Sequence, residues 1–337
     1  MKLKVVRVVL IALVCTGVYV GAAFLFRSPA SAATSPCSDA VTSAPTGPAT
    51  VSAEWMPGYG RVLVIGSGSY QGCSLYLLTS DRLHALNGAP YACSDNPNVK
   101  NKPCDTILWP ALLTKGAPIA GPGVNPRLLG TVTRTDVAGL GTVQQVTYAG
   151  WPLYRFFRDV NPGDTVGANL NDPVTTPAGI WYLLNPRGGP ATGRAKLEFE
   201  SAPLDGTGPV ETVLGANMNN DYTPFPNQPF PVYTLSGDHG GWWGWGRRSA
   251  CHGVCAVFWP PVLTSGWPEA GPGVDQRAIG IIVRRNGSKQ VTYHGRPLYF
   301  FNKDAYVGGA SPVGTQGIYG AGAVTSSGVF NTIPALP

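Results

Sequence analysis

Four aspartates recur in one setting along this chain. Asp81, Asp159, Asp238 and Asp304 each end a pattern Y-x-(Leu or Phe)-x-x-D, whose tyrosines are Tyr76, Tyr154, Tyr233 and Tyr299. Repeated carboxylates at turns could ligate calcium, but such a site gathers six or more oxygens. None of the four sits in a D-x-D-x-D-G loop. The expected role is to accept hydrogen bonds from the backbone amides of a turn.

A second constellation is Cys251-His252-Gly253-Val254-Cys255, with His239 upstream. It could be a redox pair or the start of a zinc or copper site. The spacing is neither the C-x-x-C of thioredoxin-like centres nor the C-x-x-C-H of haem attachment. A plain disulfide is the expectation, with redox, haem or metal handling as the rival. Nucleophilic catalysis has less support. Gly66-Ser67-Gly68-Ser69 is not G-x-S-x-G, and the four histidines have no counterparts between the two halves of the chain. General acid–base chemistry has little to use, and no carboxylate pair stands out for glycoside cleavage. No catalytic residue, metal ligand or cofactor is therefore assigned.

The most distinctive surface candidate is Gly240-Gly241-Trp242-Trp243-Gly244-Trp245-Gly246-Arg247-Arg248. Trp242, Trp243 and Trp245 could stack on sugars, lipid headgroups or a partner's aromatics, with Arg247 and Arg248 gripping phosphate or carboxylate. The competing reading is that the indoles fold back over a sheet.

These residues are carried on a duplicated frame. Trp109-Pro110 returns as Trp259-Pro260, Gly121-Pro122-Gly123-Val124 as Gly271-Pro272-Gly273-Val274, and Arg127, Gly130 and Arg134 as Arg277, Gly280 and Arg284. QVTYAGWPLY at 145–154 returns as QVTYHGRPLY at 290–299. Self-similarity of this kind marks tandem structural units. The expected order is a signal peptide or anchor at 1–32, a Pro/Ser/Thr-rich tether at 33–57, one repeat at 58–186, a connector at 187–195 and a second repeat at 196–330. In the second repeat Asn286-Gly287 lies between β-prone runs, a strong hairpin signal. The first repeat carries five more residues there, which a hairpin tip tolerates. Pro-Leu-Tyr then adds a further strand. The fold class is mainly β, as two tandem antiparallel meanders with little helix beyond the N-terminal segment. Within each motif the Tyr and the Leu or Phe lie two apart, so on a strand they share a face.

Composition agrees. Only 12% of the 337 residues are charged, while there are 44 Gly and 32 Pro, a turn-rich profile. Lys2, Lys4 and Arg7 precede an apolar run from Val8 to Phe26, and Ala30-Ser31-Ala32 has the form of an A-x-A cleavage site. Cleavage and retention of residues 8–26 as an anchor are both open. Four of the 24 basic residues lie in the first 32, which hold no acidic ones. The remainder has 20 basic and 18 acidic residues, a net +2. No basic block is left, so nucleic acid is not an expected partner. Setting Cys15 aside leaves six cysteines, an even number in an exported chain. Fifteen pairings are possible. The repeat frame favours Cys93 with Cys104 and Cys251 with Cys255, each pair placed between a motif Asp and the Trp-Pro, which leaves Cys37 with Cys73.

Together the cysteine pair, Trp-Pro, the Gly-Pro-Gly-Val region, Gln-Val-Thr-Tyr, Pro-Leu-Tyr and the Y-x-x-x-x-D motifs resemble a family. It comprises bacterial exported lipoproteins and secreted proteins, of actinobacterial type, with a secreted repeat of unknown function noted for Y-x-(Phe/Trp/Tyr)-x-x-D. The resemblance spans nearly all of 58–320, twice over. Departures are Leu78 and Leu235 in place of the aromatic, the wide spacing of Cys93 and Cys104, and Gly317-Ile318-Tyr319-Gly320 where the first repeat has Gly179-Ile180-Trp181-Tyr182. The resemblance implies an envelope location and the repeat architecture, and no reaction. The expected function is a non-catalytic binding or structural scaffold of the cell envelope. Its expected partners are envelope glycan, lipid or another envelope protein, with membrane contact only through the N-terminal segment.

Overall fold

Short β-branched runs between glycines and prolines become short strands, and the chain is mainly β. The computed structural model describes residues 36–94, 104–172, 179–217, 229–238, 248–304 and 317–335. The N-terminal apolar run lies outside these. Among the described residues no helix is long and apolar enough to cross a membrane.

Each half opens with a hairpin joined by one parallel strand. Thr50–Met56 pairs antiparallel with Gly60–Ile65, from Val51↔Ile65 to Met56↔Gly60, and Ile119–Ala120 adds in parallel. Lys196–Pro203 pairs likewise with Val210–Asn217, and Glu269–Ala270 adds in parallel. The first of these strands corrects the expectation of a tether over 33–57. Val51, Ala53 and Met56 are buried, and Cys37 is fully enclosed and bonded to Cys73. The Ser, Thr, Pro and Ala of this segment concealed a strand whose apolar positions are few but face the core.

A second hairpin carries the repeated arginines. Leu129–Arg134 pairs with Val143–Tyr148, and Ile279–Val283 pairs with Lys289–Tyr293. The anchoring pairs are Leu129↔Tyr148 and Ile279↔Tyr293, so the length difference falls at the tip. In the second half the Arg284 carbonyl accepts from Gly287 N–H at 2.9 Å, and Arg284 N–H donates to Ser288 O at 2.9 Å. Gly287 has φ +79°. This is a three-residue loop closed by a left-handed glycine, which a residue with a Cβ adopts only with strain.

The motif strands come next. Tyr76–Leu78 pairs with Gly179–Leu184 in the register Leu78↔Trp181. Tyr233–Leu235 pairs with Gly328–Thr332 in the register Leu235↔Phe330. Phe330, not Tyr319, therefore stands where Trp181 stands. The stacking says the same: Trp109 lies on Trp181 at 3.7 Å and 9°, and Trp259 lies on Phe330 at 3.6 Å and 2°. The matching of 317–320 with 179–182 is thus corrected. Gly320 belongs with Gly167, since a Cβ on either would come within 2.7 Å of its tryptophan ring.

Disulfides join Cys93 to Cys104 and Cys251 to Cys255 as well as Cys37 to Cys73. Cys104–Leu108 is a π-turn, whereas Val254–Phe258 is α-helical. The wider turn accounts for the extra residue between Cys104 and Trp109. Trp109 N–H reaches the Cys104 carbonyl at 2.6 Å, and Trp259 N–H reaches that of Cys255 at 2.8 Å. The central core is shared between halves, with Leu63, Leu75, Tyr182 and Leu184 packed in one cluster with Leu197, Leu214, Val232 and Val262. Burying each such aliphatic side chain contributes about 1.5–3 kcal/mol. Both halves belong to one compact unit, Ser35–Pro337.

Candidate functional site

The motif copies work in reciprocal pairs. Tyr76 and Tyr154 face each other across an antiparallel bridge, with N–H···O bonds of 2.8 and 3.0 Å. Tyr233 and Tyr299 are opposite each other in the same way. The local two-fold of an antiparallel pair then sends each phenol to the other copy's carboxylate. Tyr76 Oη donates to Asp159 Oδ2 and Tyr154 Oη to Asp81 Oδ2, both at 2.6 Å. Tyr233 Oη donates to Asp304 Oδ2 at 2.6 Å, and Tyr299 Oη to Asp238 Oδ2 at 2.9 Å.

Each aspartate also accepts a backbone amide from well beyond its own turn. Asp81 takes Ala92 and Cys93 N–H, Asp159 takes Val166, Asp238 takes Ala250 and Asp304 takes Tyr319, seven to fifteen residues farther on. The motif aspartate thus closes the base of the loop that follows it. The expectation from sequence is the amides of the turn itself; the amides seen come from the far end of the following loop, where the chain returns to the carboxylate.

Behind the first pair lies a buried cation. Arg134 is 1% exposed. Its Nε and Nη2 grip Asp136 as a fork at 2.6 and 2.8 Å. Nη2 also bonds Asp105 at 2.7 Å and the Cys93 carbonyl at 2.8 Å, and Nη1 bonds Gln145 and Tyr154 Oη. Arg284 holds the equivalent place. It bonds Ser249 Oγ at 3.0 Å, Gln290 Oε1 at 2.6 Å and the Cys251 carbonyl at 2.9 Å. Sequence reasoning identifies both arginines only as frame positions. The signal available was two unmatched acidic residues, Asp105 and Asp136, near the first.

Burial governs the electrostatics. It pushes the carboxyls of Asp159 and Asp304 up to about 7 against the pull of their tyrosine hydroxyls. Asp81 is raised for the same first reason, and Glu200 is pushed up to about 9. The phenols of Tyr76 and Tyr154 are raised by burial and then by their aspartates, so they remain donors. The pairs of Asp81, Asp159 and Asp304 are sealed from solvent, that of Asp238 is half-buried, and all four hold the frame. Unfolded carboxyls titrate near about 4. Between that pH and 7 the folded state binds more protons, so stability falls as pH rises. Glu200 extends the fall toward pH 9. The melting temperature is expected to be higher at pH 5 than at pH 8, with at most about 1.4 kcal/mol lost per group per pH unit. Asp159→Asn with Asp304→Asn should flatten the slope. A melting temperature that climbs from pH 5 to 8 would contradict these shifts.

Among the sequence candidates, Trp242, Trp243, Trp245, Arg247 and His239 lie outside the described residues. Arg248 is exposed, and the Asp238–Ala250 bond of 2.7 Å clasps the two ends of that loop. Among the described residues no group of three or more His, Cys, Asp or Glu is placed to hold a metal. A cavity of about 360 Å³ opens where the halves meet, with Arg82, Trp151 and Arg187 from the first half facing Val257, Leu263 and Arg284 from the second.

A family model described as a secreted repeat of unknown function matches residues 130–182 and 280–317, one stretch in each half. No curated protein and no solved structure matches the chain. The chain is therefore similar to that secreted repeat at the arginine hairpin of each half, and this, with three disulfides, points to an extracytoplasmic protein.

Proposed function

We propose that the protein is an exported, non-catalytic scaffold of the cell envelope, built from two copies of one repeat and binding an envelope component through a loop that differs between them. The observation that carries this reading is where the repeated polar residues point. The four motif tyrosines are fully buried and bonded to motif aspartates, three of which are 1–2% exposed. The repeated chemistry is used up in holding the frame, so recognition falls to what is not repeated. The segment clasped by Asp238 and Ala250 holds three tryptophans and two arginines, whereas the segment clasped by Asp81 and Ala92 holds RLHALNGAPY. Variable loops on a rigid frame are where binding concentrates. Residues 1–32 would supply export and, if retained, a membrane anchor.

The test replaces Trp242, Trp243 and Trp245 together by Ala. Melting temperature is expected to stay within about 2 °C, as for exposed substitutions, while pull-down with isolated cell-wall glycan or anionic vesicles is lost. A loss of about 3–5 kcal/mol in stability would show that the indoles are packed, and the loop reading would fall.

A further inference from the structure

The two halves treat the same arginine differently. In the first half Arg134 is neutralised by Asp105, which follows Cys104, and by Asp136, two residues beyond the arginine. In the second half Ala256 follows Cys255, and Asn286 stands two residues beyond Arg284. Both carboxylates are gone, and the two residues that replace them line the cavity between the halves together with Arg284 itself. The guanidinium edge that forks onto Asp136 in the first half is Nε with Nη2. In Arg284 the bonds run from Nη1 to Ser249 and Gln290 and from Nη2 to the Cys251 carbonyl, and among the described residues no acceptor meets Nε.

The rest of the wall is consistent with a missing negative charge. Arg82 and Arg187 also line the cavity, and among the described residues no Asp or Glu does. None of these three arginines has a salt bridge among the described residues. Arg82 is held over the indole of Trp151 at 4.9 Å. Trp151, Leu86, Val257 and Leu263 give the remainder an apolar face. The volume of about 360 Å³ suits a small molecule. His252, close by, is held below its usual range by burial and then by Arg284 and Arg285. Asp238, a carboxylate that acts on Arg284, is engaged by Tyr299 and Ala250.

We infer that the cavity between the halves binds a small organic oxyanion, its carboxylate or phosphate forked on Arg284 where Asp136 forks on Arg134, its apolar body against Trp151 and Leu263. Arg82 and Arg187 guard the mouth with additional positive charge. Bidentate binding of this kind is what a guanidinium edge offers. The inference goes beyond the tryptophan-loop reading and does not rest on it, so either can fail alone.

The experiment uses the oxidised protein and titration calorimetry with phenyl phosphate, inorganic phosphate and benzyl alcohol. Phenyl phosphate is expected to bind, inorganic phosphate to bind at least tenfold more weakly, and benzyl alcohol not to bind. Asn286→Asp and Ala256→Asp each restore one internal carboxylate. Each is expected to weaken phenyl phosphate at least tenfold while the ligand-free melting temperature holds or rises. If Ala256→Asp does not fold, Asn286→Asp decides, because position 286 is exposed at a turn. Arg187→Ala, also exposed, should weaken binding about threefold. No heat with phenyl phosphate, or unchanged affinity in Asn286→Asp, overturns the inference. Equal affinity for the two phosphates overturns the apolar part of it.

Discussion

Replacing Arg134 by Met is expected to cost about 3–5 kcal/mol of folding stability, read as a shift of the urea midpoint at unchanged slope. The side chains of Arg134 and Asp105 are both fully enclosed, 2.7 Å apart. Removing the cation strands Asp105 without its counter-charge. It also frees the acceptors of Gln145 and the Cys93 carbonyl. Neutralising the carboxylates together with the arginine, by Asp105→Asn and Asp136→Asn, should recover part of the loss, because a buried charge without a partner costs more than a missing hydrogen bond. Arg284→Met is the internal control. Among the described residues no carboxylate is ion-paired to Arg284, and Asp238, which acts on it from farther off, keeps its bonds from Tyr299 and Ala250, so the cost should be about 1–3 kcal/mol, the penalty of orphaned acceptors. A larger loss at Arg284 than at Arg134 would show that the carboxylates matter less than the neutral hydrogen bonds.

Trp259→Ala is expected to cost a similar amount, about 3–5 kcal/mol, through packing alone. The indole is 4% exposed. It is held between Phe301 at 4.3 Å and Phe330 at 3.6 Å, with the Tyr233 ring edge-on at 5.3 Å. Gly320 approaches so closely that any side chain there would overlap the ring, so the glycine itself offers no side chain to fill the void left by truncation. Trp267, 56% exposed, serves as comparison, and its replacement by Ala should fall within about 0.5 kcal/mol of neutral. Equal effects at the two positions would mean that the aromatic stack is not what holds the second half together.

Much of the fold is legible because it rests on local chemistry. β-branched runs, Asn286-Gly287 and the glycines state strands and turns within a few residues of themselves. The cysteines read against the Trp-Pro frame lead to the same pairs that the structure joins. What escaped is non-local. The reach of Tyr76 to Asp159 spans 83 residues, and nothing in either copy alone announces that the partner is the other. The strand at 50–56 was hidden by Ser and Ala, residues with little apolar signal. Gly317-Ile318-Tyr319 imitates Gly179-Ile180-Trp181 in letters, yet only the pairing of Phe330 with Leu235 shows which segment completes the sheet. The arginine site was legible only by comparison, since the absence of two acids at Ala256 and Asn286 means something only once Asp105 and Asp136 are seen to hold Arg134.

The reciprocal tyrosine–aspartate bonds impose a rule of parity. One motif copy offers a phenol and a carboxylate that cannot meet each other, while two copies satisfy both at once. A fragment ending between Asp81 and Tyr154 would retain an orphan donor and an orphan acceptor at the centre of its core, and so would a chain with three copies. The unit that can be copied, moved or lost without harm is therefore the pair. A solitary copy has one way to complete itself, which is to borrow its counterpart from a second molecule.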